Sequence, residues 1–134
     1  MSCPFCDLSQ HEIIYQDDFC FGVVILEPVK DGHLMVLPKR HVETLSDLKP
    51  EESKAIADLL DKFKKALMDL YDDDPMILMN TGSHGTQPHI HIHILPSRGG
   101  LRDLFAAAEN TPFRYKATKE ELKKIGDKIR GKIQ

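Results

Sequence analysis

A chain of 134 residues with 41% hydrophobic and 29% charged content has the usual size of one compact domain that buries its own core. Its net charge of -3 excludes a global basic field that would hold DNA or RNA by counterion release, so a small anionic ligand has to be held locally. The longest apolar runs, such as Val23 to Leu26 and Met76 to Met79, are far shorter than the ~20 residues of a membrane helix, and Met1-Ser2-Cys3-Pro4 shows no export signal, so a cytoplasmic protein with no membrane contact is expected.

The chain opens with Cys3-Pro4-Phe5-Cys6, a spacing that in a reducing compartment favours metal binding or redox work over a structural disulfide. Cys20, in an apolar stretch, reads as core. Ile13-Ile14-Tyr15 and Phe19 to Leu26, split by Asp17-Asp18, predict a hairpin, and His33 to Leu37 a third strand closed by Pro38. Pro50-Glu51-Glu52 marks a helix start, and Ile56, Leu59, Leu60, Phe63, Leu67 and Leu70 give that helix one apolar face. Met76 to Met79 predicts another strand, the segment from Asn80 to Gln87 a loop, and His89 to Leu95 a strand of strict alternation. Beyond Pro96, Leu101 to Ala108 predicts a short helix, and Leu122, Ile125, Ile129 and Ile133 an amphipathic C-terminal one. Strands and helices mixed without βαβ alternation favour an α+β domain with helices on an antiparallel sheet.

The chemistry concentrates in His89-Ile90-His91-Ile92-His93. On a strand the three histidines line one face at steps of ~6.8 Å while the isoleucines face the core. A row of imidazoles has little packing rationale, which points to chemistry or metal. A neutral imidazole offers a lone pair to an electrophile, and a neighbouring one can serve as a cationic partner for phosphate or a leaving group. A catalytic zinc bound by His-x-His and a third ligand is the rival arrangement.

His89-Ile90-His91-Ile92-His93-Ile94-Leu95-Pro96 resembles the signature of the histidine triad (HIT) superfamily, a run of three histidines alternating with apolar residues. Ile13 to Asp18 resembles the family's opening strand and turn, and Gly32 to His41 its Gly-His segment leading into Pro-Lys-x-His. The likeness covers about residues 3–96, with 97–134 a less diagnostic C-terminal loop and helix, and implies a single HIT domain over 1–134. It implies an α+β fold with a five-stranded antiparallel sheet, a long central helix and a C-terminal helix, assembled as a homodimer. It further implies that His91 is the nucleophile, that His93 contacts the phosphate and aids the leaving group, and that His33 supports the triad. Asn80, Thr86 and Gln87 match positions of substrate contact.

In zinc-containing branches of the superfamily, including galactose-1-phosphate uridylyltransferase, a cysteine pair is completed by two histidines, and His41 and His89 match those places. The resemblance thus implies a structural zinc held by Cys3, Cys6, His41 and His89. Thr86-Gln87-Pro88 before His89 is similar to the dinucleoside tetraphosphate phosphorylases rather than to the common Hint and Fhit pattern. Ile25 stands where Hint proteins carry a ribose-binding aspartate. The implied activity is hydrolysis or transfer of a nucleotidyl group at an α-phosphorus, with nucleoside phosphoramidates or dinucleoside polyphosphates as substrates. Phosphorolysis, and nucleotide binding with little catalysis, are the alternatives.

Overall fold

The computed structural model describes residues 3–81, 88–110 and 116–133. Two compact units divide the chain, Met1–Arg98 and Gly99–Gln134. In the first, strands β1 (Glu12–Gln16), β2 (Cys20–Val24), β3 (Leu34–Pro38), β4 (Pro75–Leu78) and β5 (Ile92–Pro96) form one antiparallel sheet in the order β1-β2-β3-β5-β4. Helix α1 (Pro50–Tyr71) packs on one face of it. The second unit holds α2 (Leu101–Glu109) and α3 (Lys119–Arg130), the latter started by Thr118 and Glu121 in a reciprocal capping box. The expected α+β class, five-stranded sheet and long helix are all present.

Alternation along the central strand separates two apolar layers. Leu34 and Val36 of β3 point to α1 and meet Ile56, Leu59, Phe63, Leu67 and Ile94. Met35 and Leu37 point the other way and pack with Leu8, Val23, Phe5 and Ile25. Cys20 is fully buried in the first layer, as the sequence suggested. Gly22 is required by the close approach of α1, because a Cβ there would lie 2.3 Å from Cζ of Phe63. Leu70, counted on the apolar face of the helix, is 75% exposed. It sits in the last turn of α1, beside Tyr71, whose ring packs against Gly32 and thus takes the place next to Pro96.

The start of α1 is tied to the segment after β3. The Glu52 carboxylate accepts from the Lys49 backbone N–H at 2.8 Å and from Nε and Nη2 of Arg40 at 3.1 and 2.7 Å. Arg40 also donates to the Asp47 carbonyl, at 2.8 Å. Its hydrogen bonds to the Glu52 carboxyl hold that group below the usual glutamate range, so the pair stays ionised at neutral pH. The tie fixes the backbone beside His41.

The histidine strand is shorter than its alternation predicts. Ladder pairing of β5 with β3 ends at Ile92 opposite Val36, leaving His89 and His91 before the strand. Pro38 at the end of β3 has no N–H to extend a ladder. Residues 89–91 instead follow the chain beyond it, with the Ile90 N–H bonded to the Val42 carbonyl at 2.7 Å.

Candidate active site

Early departure from the ladder gives the three histidines different tasks. His89 is fully buried, and its Nε2–H donates to the Pro38 carbonyl at 2.9 Å. That leaves the Nδ1 lone pair free, 3.5 Å from Sγ of both Cys3 and Cys6. His41 brings its own Nδ1 to 3.4 Å from Sγ of Cys6. The ligand atoms of Cys3, Cys6, His41 and His89 all lie within 4.8 Å of one another. A tetrahedral zinc with ordinary Zn–S and Zn–N lengths separates sulfur from nitrogen by about 3.5 Å, so donor set and spacing both fit such an ion. All three cysteines are free thiols.

His91, also buried, donates Nδ1–H to the backbone carbonyl of His89 at 3.0 Å, and its Nε2 therefore carries the lone pair. His93 is set by a chain of donors. The Val29 N–H donates to Nδ1 of His33 at 3.1 Å, so the His33 proton sits on Nε2, which donates to Nδ1 of His93 at 2.8 Å. Nε2 of His93 is left as a donor. The rings of His91 and His93 stand edge to face with centroids 5.2 Å apart.

Burial first, then the neighbouring His91 and His33, push His93 down to about 4, and burial lowers His33 as well. Both enter neutral pH uncharged. The cationic partner suggested by the sequence is thus, at rest, a neutral imidazole that donates through Nε2.

These depressions carry a pH signature. The unfolded chain takes up protons on both side chains below about pH 6.5, whereas folded His93 does so only near 4. Stability therefore falls as pH is lowered through the window from about 6.5 towards 4. Urea midpoints measured at pH 7 and pH 5 are expected to drop for the wild type and to drop less for His93→Gln.

His91 and His93 face an open cavity of about 370 Å³ on the side of the sheet away from α1. Phe5, Ile25 and Met35 supply apolar wall, and Asn80 lies in the same lining. Expected residues His91, His93, His33 and Asn80 thus come together, as do the four proposed metal ligands. Thr86 and Gln87 lie outside the described residues.

Three lining residues had gone unnoticed in the sequence. Phe5 lies 4.4 Å, centroid to centroid, from the His91 ring, the two planes tilted by 42°. Glu27 and His11 also border the cavity, and Nδ1 of His11 accepts from the Leu26 N–H at 2.9 Å. A CPFC tetrapeptide advertises its cysteines, not the ring between them, and a lone His11 carries no local signal at all.

A family model described as the HIT domain matches residues 8–100. An uncharacterized HIT-like protein of Mycobacterium tuberculosis is 31% identical over 132 residues, covering 93% of this chain and 90% of that one. The adenosine 5′-monophosphoramidase hnt1 of Schizosaccharomyces pombe is 27% identical over the full length of both chains. A Zn-bound histidine triad family protein of Mycobacterium smegmatis superposes with a TM-score of 0.66 at 30% identity, over 90% of this chain and 87% of that one. The chain belongs to the HIT family of enzymes.

Proposed function

We propose that the chain is a nucleotide hydrolase that cleaves a bond at an α-phosphorus through a transient nucleotidyl group on Nε2 of His91. The observation that carries this reading is the hydrogen bond from Nδ1 of His91 to the His89 carbonyl, which leaves the Nε2 lone pair facing the cavity. In the first step that lone pair forms a P–N bond and the bond from phosphorus to the leaving group breaks. With a phosphoramidate the departing group is an amine, its proton supplied by substrate or solvent. In the second step a water oxygen attacks phosphorus and the bond to His91 breaks. The lone pair returns to Nε2, and the nucleoside monophosphate leaves with a proton lost to solvent.

Nε2–H of His93 is directed at a phosphoryl oxygen or the leaving atom, and His33 holds that donor in place. Asn80 supplies a further polar contact in the lining. Names of relatives that act on adenosine 5′-monophosphoramide and on purine nucleoside phosphoramides support this substrate class. Zinc held by Cys3, Cys6, His41 and His89 would supply a closed structural clamp with no open coordination position. Two further readings rest on family likeness: a homodimer, and one HIT domain spanning both units.

A direct assay is release of AMP from adenosine 5′-phosphoramidate in phosphate-free buffer. Steady release supports hydrolysis. Release that needs added phosphate and yields ADP would move the reading to a phosphorylase, the alternative suggested by Gln87-Pro88-His89. Tight AMP binding with no release would leave a nucleotide-binding protein.

A further inference from the structure

Cys3 and Cys6 enclose Pro4 and Phe5, and both enclosed residues line the cavity that His91 and His93 face. The Phe5 ring sits 4.4 Å from His91 and 6.4 Å from His89, between the proposed metal ligands and the nucleophile. This turn is held by the packing of Phe5 against Leu8, Val23, Met35 and Leu37 and by the approach of the Cys3 and Cys6 sulfurs to the rings of His89 and His41. Its backbone closes on itself through a bond from the Cys6 N–H to the Cys3 carbonyl, and Leu8 is the first deeply buried residue after it. Cys6 itself is exposed. On the opposite side, His89 offers one ring nitrogen to the cysteines and its carbonyl to His91. One residue thus touches both the donor cluster and the nucleophile, while another rides on the same cluster as cavity wall.

We propose that the metal at Cys3, Cys6, His41 and His89 holds Phe5 in place as a wall of the substrate cavity, so that metal occupancy sets nucleotide affinity as well as stability. The proposal rests on the metal and catalytic readings given above. Phe5 is here a positioning residue whose place depends on a clamp outside the cavity. A purely structural ion would leave the affinity of the folded protein unchanged when removed.

The chain has no tryptophan, so Phe5→Trp introduces a single indole reporter. The full-length variant is measured with zinc bound and after removal of zinc by 1,10-phenanthroline, with metal content verified by atomic absorption and folding by circular dichroism. AMP is the probe. With zinc present, AMP is expected to perturb the emission. Removing zinc is expected to red-shift it and weaken AMP binding about fivefold or more, the scale of a lost aromatic contact, with recovery on adding zinc back.

Calorimetric titration of wild type with AMP, loaded and stripped, reads the same ratio if the variant fails to fold. Phe5→Leu, with zinc retained, is expected to weaken AMP binding without changing metal content. Equal AMP affinity in loaded and stripped protein overturns the proposal, as does unfolding on stripping, which would make the metal purely structural. A protein that takes up no zinc overturns it together with the metal reading. Zinc-dependent AMP affinity in a protein that never releases AMP from phosphoramidate supports it while removing the catalytic reading.

Discussion

His91→Ala is expected to lower turnover of a nucleoside phosphoramidate by at least about 10,000-fold, the scale on which loss of a covalent nucleophile acts. Affinity for AMP should survive, because the cavity wall of Phe5, Ile25 and Met35 is untouched. His91 has one ring nitrogen committed to the His89 carbonyl and the other free. Among the histidines of the described lining, no other presents a comparable lone pair. His93 spends its Nδ1 on His33, and Nδ1 of His11 accepts from Leu26. Single-turnover rates and equilibrium titration of the same variant separate the two effects. A variant whose rate and affinity fell together would place His91 in binding instead.

Removing the metal is the second large effect expected. An ion present at about 1,000 times its dissociation constant stabilises the state that binds it by about 4 kcal/mol. For a chain of this size that corresponds to a fall in Tm of roughly 15 °C on chelation. A metal held by these four residues would join residue 3 to residue 89, across most of the first unit, and so constrain a long stretch of chain. Thermal melts with and without chelator, alongside a Cys3→Ser variant that melts low in both, check the expectation. A wild type whose Tm ignored chelation despite verified zinc loss would contradict the assignment of these four residues.

Much of the site was legible because its chemistry is written in local spacing. Apolar residues alternating with His89, His91 and His93 are hard to explain as core, and the pairing of Cys3 with Cys6 announces ligands at short range. Different roles for the three histidines were not legible. A period of two makes them equivalent, and only the end of the ladder at Ile92, together with the missing N–H of Pro38, turns His89 towards the cysteines.

The protonation pattern of His93 was equally hidden. It depends on the Val29 backbone N–H reaching His33, a contact no spacing rule encodes. Phe5, His11 and Glu27 reach the cavity through tertiary packing, so nothing beside them in the sequence marks them. Helix α1 illustrates the converse limit. Its periodicity placed Ile56, Leu59, Phe63 and Leu67 correctly in the core, yet carried one step too far to Leu70, which is exposed.

The central claim is covalent catalysis through Nε2 of His91, and intact-protein mass spectrometry tests it most directly. Wild type and His91→Ala are mixed briefly with adenosine 5′-phosphoramidate at neutral pH and analysed without acid, which would cleave a phosphoramidate linkage. An adenylyl adduct on the wild type that is absent from His91→Ala is the predicted result. AMP release by the wild type with no adduct at any mixing time, or an adduct of equal abundance on His91→Ala, would contradict it.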